Sequence, residues 1–225
     1  MPGAPKDFFK IKKSPPPLIK NPPPPPLQER ISTIMDESCS IRSARLEDAV
    51  QLNSIYSYYV NNTAITFEDE APTVERFKER MADIMSFYPY FVAEADGAIA
   101  GYAYAGKFKS RSAYDWSVET TVYVKCGVNR RGVGTALYRA LEEALKSQGI
   151  INMYACIAVP EVDDEFLTHG SVYFHERMGF KIVGEFVNCG CKFGRWYNMV
   201  WMQKLLGEHE SDPERPVPYS RVYQK

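Results

Sequence analysis

Apolar and polar side chains alternate through residues 115–124, and a period of two predicts a β-strand. One face would carry Trp116, Val118, Thr120, Val122 and Val124, and the other Ser117, Glu119, Thr121 and Tyr123. Carboxylates are depleted in strand interiors. Glu119, in the middle of this strand, is therefore a candidate functional residue.

Apolar residues spaced three and four apart predict three helices, and a candidate cap predicts a short fourth one. The longest follows the strand and stops at Gly149. Two earlier helices are separated by Pro72 and Thr73, and a short one ending near residue 178 has Ser171 as its candidate N-cap. Further strands are predicted at residues 40–42, 90–95, 98–105, 152–158, 180–187 and 196–204, with a hairpin turn at residues 96–97.

The order of these elements predicts an α/β (α+β) fold. A central mixed, mostly antiparallel sheet would be flanked by helices in a single domain at residues 39–206. Residues 1–38 contain ten of the 16 prolines and predict a disordered leader, either a ligand for a proline-recognition domain or a passive tail. Residues 207–225 are charged and contain prolines, and we expect a loose C-terminal arm there.

Composition narrows the classes of partner. The formal net charge of -1 and the pI of about 6.3 argue against nucleic acid or an anionic membrane. Five cysteines without a C-x-x-C pair, and no long apolar run, predict a reducing cytoplasm and no membrane span. Cys189 and Cys191 flank Gly190, but two thiolates without further partners do not make a zinc site. We expect no metal, and interpret these cysteines as half-buried strand residues around a bulge glycine.

A basic, glycine-rich turn connects the strand to the long helix. It reads Gly127-Val128-Asn129-Arg130-Arg131-Gly132-Val133-Gly134, followed by Thr135. Glycines allow close approach of the backbone, and a helix N-terminus favours an anion, so this turn predicts a diphosphate site with the two arginines at its rim. The spacing fits neither a P-loop nor G-x-G-x-x-G. A tight strand-to-helix connection is the alternative interpretation.

The order of elements, with R-R-G-V-G after a long strand, resembles the GNAT superfamily of acetyl-CoA-dependent N-acetyltransferases, whose signature is Q/R-x-x-G-x-G/A. The run R-S-A-Y-D-W-S-V-E-T-T-V-Y-V at residues 111–124 is similar to the phosphinothricin and methionine sulfoximine acetyltransferases. The resemblance covers about residues 39–204. It implies the GNAT fold, acetyl transfer from acetyl-CoA to the α-amino group of a small amino acid or analogue, and a homodimer, which is common in that family.

The resemblance also implies roles for individual residues. Glu119 matches the general base that takes a proton from the amine. His175 lies where this branch has a histidine and where most of the superfamily has a tyrosine proposed to protonate the departing thiolate. The amides of Val122, Tyr123 and Val124 would serve the thioester and the pantetheine arm, and residues 128–135 the diphosphate. The acceptor would contact Phe67, Lys109, Arg111 and Tyr114, with Lys107 as a substitute for Lys109. Direct transfer needs no covalent enzyme intermediate, so Cys126 has no necessary role.

Two features depart from the family pattern. Asn129 stands at the first Q/R position of the signature. Residues 161–170, called the acidic loop below, are longer than the usual link and contain four carboxylates, and we expect them either to cover the acceptor site or to form a solvated insertion. These departures leave a second hypothesis, a non-catalytic acyl-CoA-binding or sensing module whose leader docks a partner. The presence of both Glu119 and His175 favours the enzyme.

Overall fold

A computed structural model describes Leu27, residues 39–128 and residues 132–223. The strands are β1 (Ser40–Ser43), β2 (Tyr90–Ala95), β3 (Ala98–Lys107), β4 (Ser117–Val124), β5 (Asn152–Val159), β6 (Lys181–Lys192) and β7 (Arg195–Leu205). The α-helices are α1 (Ala49–Asn62), α2 (Val74–Met85), α3 (Val133–Gln148), α4 (Gly170–Arg177) and α5 (Tyr219–Tyr223). The predicted order of elements is confirmed, with α5 as an addition. Within the described residues, no helix is long and apolar enough to cross a bilayer.

The strands form a seven-stranded sheet in the order β1-β2-β3-β4-β5-β7-β6. Every neighbouring pair is antiparallel except β4 and β5, which run parallel. The predicted mixed, mostly antiparallel sheet is therefore confirmed. The hairpin between β2 and β3 turns at Asp96 and Gly97, both at positive φ, as tight two-residue turns require.

The parallel contact between β4 and β5 is short. It covers only Ser117–Glu119 against Asn152–Tyr154. At the next residue the Thr120 hydroxyl donates to the Tyr154 carbonyl at 3.0 Å. Beyond Thr120, β4 has no ladder with β5, so the middle of the sheet opens toward the end of β4.

Helices cover both faces of the sheet. On one face α3 buries Leu137, Leu141 and Leu145 completely, as its predicted apolar stripe requires. On the other face α1 and α2 bury Leu52 and Met81. Thr73 caps α2, since its side chain accepts from the Arg76 amide at 3.2 Å.

The expectation of a loose C-terminal arm is wrong. The Val217 amide donates to the Gln148 carbonyl at 3.0 Å, and the Gln148 side chain donates back to the Val217 carbonyl at 2.8 Å. The Trp116 indole donates to the Glu214 carbonyl at 2.8 Å, and Tyr219 packs against the main core. The segment is held because its backbone groups find partners at the end of α3 and at the start of β4.

The predicted helix cap at Ser171 is also wrong. α4 begins at Gly170, and its N-cap residue, His169, makes no side-chain cap bond. Ser171 lies in the first turn, where its carbonyl accepts from His175 Nδ1 at 2.7 Å. The division at residues 38 and 206 stays a prediction, and apart from Leu27 the leader lies outside the described residues.

Candidate active site

Two cavities meet beside the C-terminal half of β4. One, of about 490 Å³, contains Glu119 and is called the Glu119 cavity. The other, of about 560 Å³, lies at the start of α3 and is called the helix-start groove. Ile65, Val122, Tyr123 and Ser171 line both. Ligands occupying the two cavities would therefore meet where β4 has separated from β5.

The helix-start groove presents backbone amides to a ligand. Gly132 precedes α3 with a φ of 111°, a conformation that favours glycine, and the first amides of a helix lack intrahelical acceptors. A Cβ at Gly134 would lie 3.3 Å from the Phe174 ring, so glycine keeps the backbone close to the groove wall. Arg177 adds a positive charge to the lining. This arrangement suits an extended ligand with an anionic end.

Most of the residues predicted to bind the cofactor line this groove, namely Val122, Tyr123, Val124, Gly132, Val133, Gly134 and Thr135. Val128 lies elsewhere: its amide donates to the Lys125 carbonyl at 3.2 Å and its side chain packs on the core. Asn129, Arg130 and Arg131 lie outside the described residues. Sequence reasoning missed Tyr59, which lines the groove and donates its hydroxyl to the Val124 carbonyl at 2.5 Å.

Glu119 lines the cavity named after it and is partly buried there. Among the described residues, its carboxylate has no hydrogen bond or ion pair. Burial raises the pKa of Glu119, and the positive charge of Lys109 opposes that rise. A half-buried carboxylate with a raised pKa is suited to accept a proton near neutrality.

His175 is buried and forms a chain of polar contacts across the cavity wall. Its Nδ1 is 2.7 Å from the Ser171 carbonyl and must donate, so Nε2 accepts from the Tyr138 hydroxyl at 2.8 Å. The Tyr138 oxygen is also 3.3 Å from the Thr120 hydroxyl. Burial lowers the pKa of His175, which keeps the ring neutral at pH 7. We call the His175, Tyr138 and Thr120 side chains the polar relay.

Sequence reasoning found only one member of this relay. Tyr138 is fully buried within the apolar stripe of α3. A buried tyrosine hydroxyl needs a partner, and that requirement was a usable signal for a polar contact inside the core. The identity of the partner depends on how α3, β4 and α4 pack, which the stripe alone does not determine.

Only some of the residues expected to bind the acceptor line the Glu119 cavity. Phe67 lines the Glu119 cavity together with Tyr104, Cys156 and Met199. Lys109, Arg111 and Tyr114 are outside its lining. The Lys109 ammonium lies over the Phe108 and Trp201 rings, at 4.8 and 5.5 Å from their centroids. Lys107 is 3.7 Å from Asp115 and lines a different cavity.

The acidic loop lines neither the Glu119 cavity nor the helix-start groove. Asp164 accepts from the amides of Phe166 and Leu167, both at 2.8 Å, and pairs with Arg195 at 3.0 Å. Glu165 pairs with the same arginine at 2.8 Å. These two carboxylates are matched by Arg195 at the start of β7 and by amides of the acidic loop itself, and they lie outside the lining of both cavities.

Cys189 and Cys191 are exposed, so the expectation of half-buried cysteines is wrong. Cys189 lines the Glu119 cavity beside Cys156. The predicted bulge lies next to Gly190 rather than at it: residues 187–189 interrupt the β6–β7 ladder, and Gly190 pairs with Tyr197. Among the residues that the structure describes, no group of three His, Cys, Asp or Glu side chains could hold a metal ion.

Comparison with known proteins agrees with this geometry. Residues 41–201 match the family described as Acetyltransferase (GNAT) domain. The chain is 33% identical over 178 residues to a phosphinothricin N-acetyltransferase of Streptomyces viridochromogenes, covering 79% of this chain and 93% of that protein. It is 33% identical over 184 residues to an L-methionine sulfoximine/L-methionine sulfone acetyltransferase of Pseudomonas aeruginosa, covering 80% and 99%.

A solved structure shows the same arrangement of elements. The crystal structure of a GNAT superfamily phosphinothricin acetyltransferase from Sinorhizobium meliloti in complex with AcCoA superposes with a TM-score of 0.73. The two chains are 30% identical, and the match covers 84% of this chain and all of that one.

Proposed function

The chain belongs to the GNAT acetyltransferase family, and from this premise we propose that it transfers an acetyl group from acetyl-CoA to the α-amino group of a small amino acid. The acceptor class is that of phosphinothricin, methionine sulfoximine and methionine sulfone. The observation that carries this proposal is the meeting of the helix-start groove and the Glu119 cavity beside β4. One cavity suits the cosubstrate and the other the amine.

The helix-start groove has the features that acetyl-CoA requires. The amides that open α3 would bind the diphosphate, assisted by Arg177, and Gly134 leaves room for its approach. From Val122 to Val124, β4 pairs with β3 on one edge and has no ladder with β5 on the other, and this second edge offers backbone groups to the pantetheine arm. When bound, acetyl-CoA supplies the activated acetyl group and a thiol leaving group.

Glu119 is the proposed general base. An α-amino group is mostly protonated at pH 7 and must lose a proton before it can attack. The Glu119 carboxylate, which has a raised pKa and no ion pair with any residue that the structure describes, can take that proton directly or through water. After attack the amine nitrogen still has one proton to lose and the departing thiolate needs one, and we propose that the polar relay with neutral His175 passes this proton from nitrogen to sulfur.

Direct transfer is favoured over a covalent enzyme intermediate. Cys156 and Cys189 both line the Glu119 cavity, and Cys156 is close enough to Glu119 to be affected by its charge. Burial, Glu119 and Cys189 raise the pKa of Cys156 to about 12, so it is a thiol rather than a thiolate at neutral pH. A neutral thiol is a poor nucleophile.

Phe67 would form one wall for the acceptor side chain, as it lines the cavity with Glu119. Lys109 would attract the acceptor carboxylate, since its positive charge is near enough to the cavity to lower the pKa of Glu119. Arg111 and Tyr114 are exposed on the same loop and complete the proposed acceptor contacts. No Lys or Arg is among the described residues that line the cavity itself, so the carboxylate would lie at its mouth.

The test is thiol release from acetyl-CoA with a panel of free amino acids that includes phosphinothricin, methionine sulfoximine and methionine sulfone. Glu119→Gln should lower kcat by about 10²- to 10⁴-fold, the usual contribution of a general base, with acetyl-CoA binding unchanged. Glu161→Gln, in the exposed part of the acidic loop, is the matched control and should keep full activity. Turnover of peptide amines but of no free amino acid would exclude this acceptor class, and acetyl-CoA binding without any turnover would favour the binding-module hypothesis.

We also propose a homodimer located in the cytoplasm. The edge strand β6 and the start of β7 expose apolar side chains, 51 to 68% accessible, and such exposed edges are normally covered. They are Ile182, Val183, Phe186, Val187 and Trp196. Val187→Glu should convert a dimer into a monomer in light scattering, and a wild-type monomer would contradict the proposal. Cell fractionation tests the location.

A further inference from the structure

The wall residue Phe67 rests directly on the backbone of Gly190. A Cβ built on Gly190 would lie 2.3 Å from Phe67 Cε2 and 2.6 Å from Cδ2 and Cζ. The absence of a side chain at residue 190 is therefore a condition for the observed position of the ring. The same ring lines the Glu119 cavity.

A bulge in β6 brings Gly190 to this position. Phe186 pairs with Met199 and Gly190 with Tyr197, so three residues of β6 face the single residue Asn198 of β7. Asn188, in the bulge, has a φ of 48°, and its amide donates to Asn198 Oδ1 at 2.8 Å. Bulges commonly lie beside active sites, and Cys189 of this bulge lines the Glu119 cavity.

The chain on both sides of this contact is also fixed. Lys192, which is buried, donates from Nζ to the Thr66 carbonyl at 2.8 Å. The Thr66 hydroxyl is 3.0 Å from the Tyr56 hydroxyl. The backbone just before Phe67 is thus held between α1 and β6, and the ring itself is positioned by Gly190.

We propose that Gly190 is a positioning residue for Phe67 and thereby sets the length of acceptor side chain that the enzyme accepts. This inference rests on the proposed function, because it takes the Glu119 cavity as the acceptor site. Gly190 touches Phe67 and is not itself in the lining of the cavity.

The size of the effect follows from the contact distance. Carbon atoms in contact lie about 3.5 Å or more apart, so a methyl group at residue 190, 2.3 Å from the ring, would move Phe67 by about 1.2 Å. Because the ring also lines the Glu119 cavity, we expect this shift to remove space from the acceptor. A change of one methylene in a pocket typically alters kcat/KM by about 10- to 200-fold.

The experiment compares Gly190→Ala with Gly184→Ala. Gly184 is in the same strand, and a Cβ there would have no atom within 4 Å. Thiol release is measured with methionine sulfone and with S-methylcysteine sulfone, which is one methylene shorter. We expect Gly190→Ala to lower kcat/KM for the longer acceptor at least about tenfold relative to the shorter one, with KM for acetyl-CoA unchanged, and Gly184→Ala to behave as wild type.

A Phe67→Ala background separates positioning from general damage. With the ring removed, adding Gly190→Ala should have no further effect on acceptor preference. Equal effects of Gly190→Ala on both acceptors, or a penalty that persists in the Phe67→Ala background, would overturn the proposal. A crystal structure of Gly190→Ala gives a readout that does not depend on activity. An unmoved Phe67 ring overturns the inference. A shifted ring in a protein that acetylates no amino acid rejects the proposed function alone.

Discussion

The polar relay makes a prediction for Tyr138→Phe. This substitution removes one hydroxyl and leaves the ring, which packs edge-on against Phe174 and Phe180. His175 Nε2 loses its donor at 2.8 Å, and Nδ1 remains bound to Ser171. The substitution therefore breaks the relay at its centre without opening a cavity.

The expected loss of stability follows from leaving one buried acceptor, His175 Nε2, without a hydrogen bond. Such a group costs about 1–3 kcal/mol, and for a chain of this size each kcal/mol lowers Tm by about 2–4 °C. We expect a loss of about 2–12 °C at neutral pH. If the relay protonates the departing thiolate, kcat should fall at least about tenfold, since proton transfer by a positioned group contributes about 10²- to 10⁴-fold.

The pH dependence gives an independent check. Burial lowers the pKa of His175 below its unfolded value of about 6.5, so on acidification the unfolded chain takes up the proton first. The stability that depends on neutral His175 is thus present above about pH 6.5 and is lost as the pH falls. Without the Tyr138 hydroxyl, which favours the neutral ring, the pKa of His175 should rise. The stability difference between wild type and variant should therefore be larger at neutral than at acidic pH.

The assays are thermal unfolding across pH and kcat for thiol release. Tyr219→Phe is the control, because it removes a hydroxyl 3.2 Å from Ser43 Oγ at a position outside both cavities. Tyr138→Phe with wild-type kcat across the pH range, and with a Tm no lower than that of the control, would refute the relay.

Three further predictions test the base, the C-terminal segment and a helix cap. The kcat/KM value should rise with pH through the raised pKa of Glu119, because only the carboxylate accepts a proton. Lys109→Gln removes a positive charge that lowers this pKa, so the rise in kcat/KM should move to higher pH. A rise at an unchanged pH would contradict the assignment of Glu119 as base. Arg215→Ala, at an exposed ion pair, should lower the free energy of unfolding by at most about 1 kcal/mol. Tyr219→Ala should lower it by on the order of 2 kcal/mol, measured by calorimetry, because the Tyr219 ring packs on the core. Equally small effects of both variants would mean that the C-terminal segment is not docked. Thr73→Ala should cost about 1 kcal/mol in chemical unfolding, since it removes the N-cap bond of α2, and an unchanged midpoint would contradict that role.

Periodicity predicted the elements because burial of one face governs most of this chain. The stripe of α3 is buried from Val133 to Leu145, and the alternation in β4 places Glu119 on the face opposite Val118. The turn at Asp96 and Gly97 followed from local backbone preference. Such features depend on near neighbours in sequence, which is why the order of elements could be read before the structure.

Features that depend on distant contacts could not be read in this way. The C-terminal segment is polar and rich in proline, yet it docks because Gln148 and Trp116 supply hydrogen bonds for its backbone. The acidic loop was expected either to cover the site or to form a solvated insertion, and Arg195 at the start of β7 holds its Asp164 and Glu165. The position of Phe67 depends on a bulge more than 100 residues later in the chain. None of these contact partners can be predicted from the sequence pattern near the residue concerned.

Thr120 links three features that the sequence presents separately. Its hydroxyl donates to the Tyr154 carbonyl at the point where the β4–β5 ladder ends, so it lies at the opening of the sheet. The same oxygen is 3.3 Å from Tyr138, which connects this opening to His175. The preceding residue is Glu119, whose side chain must point to the other face because strand side chains alternate. The proposed base and the proposed proton donor therefore reach the opening between β4 and β5 from opposite faces of β4. This geometry follows from the fact that Glu119 and Thr120 are consecutive residues of one strand.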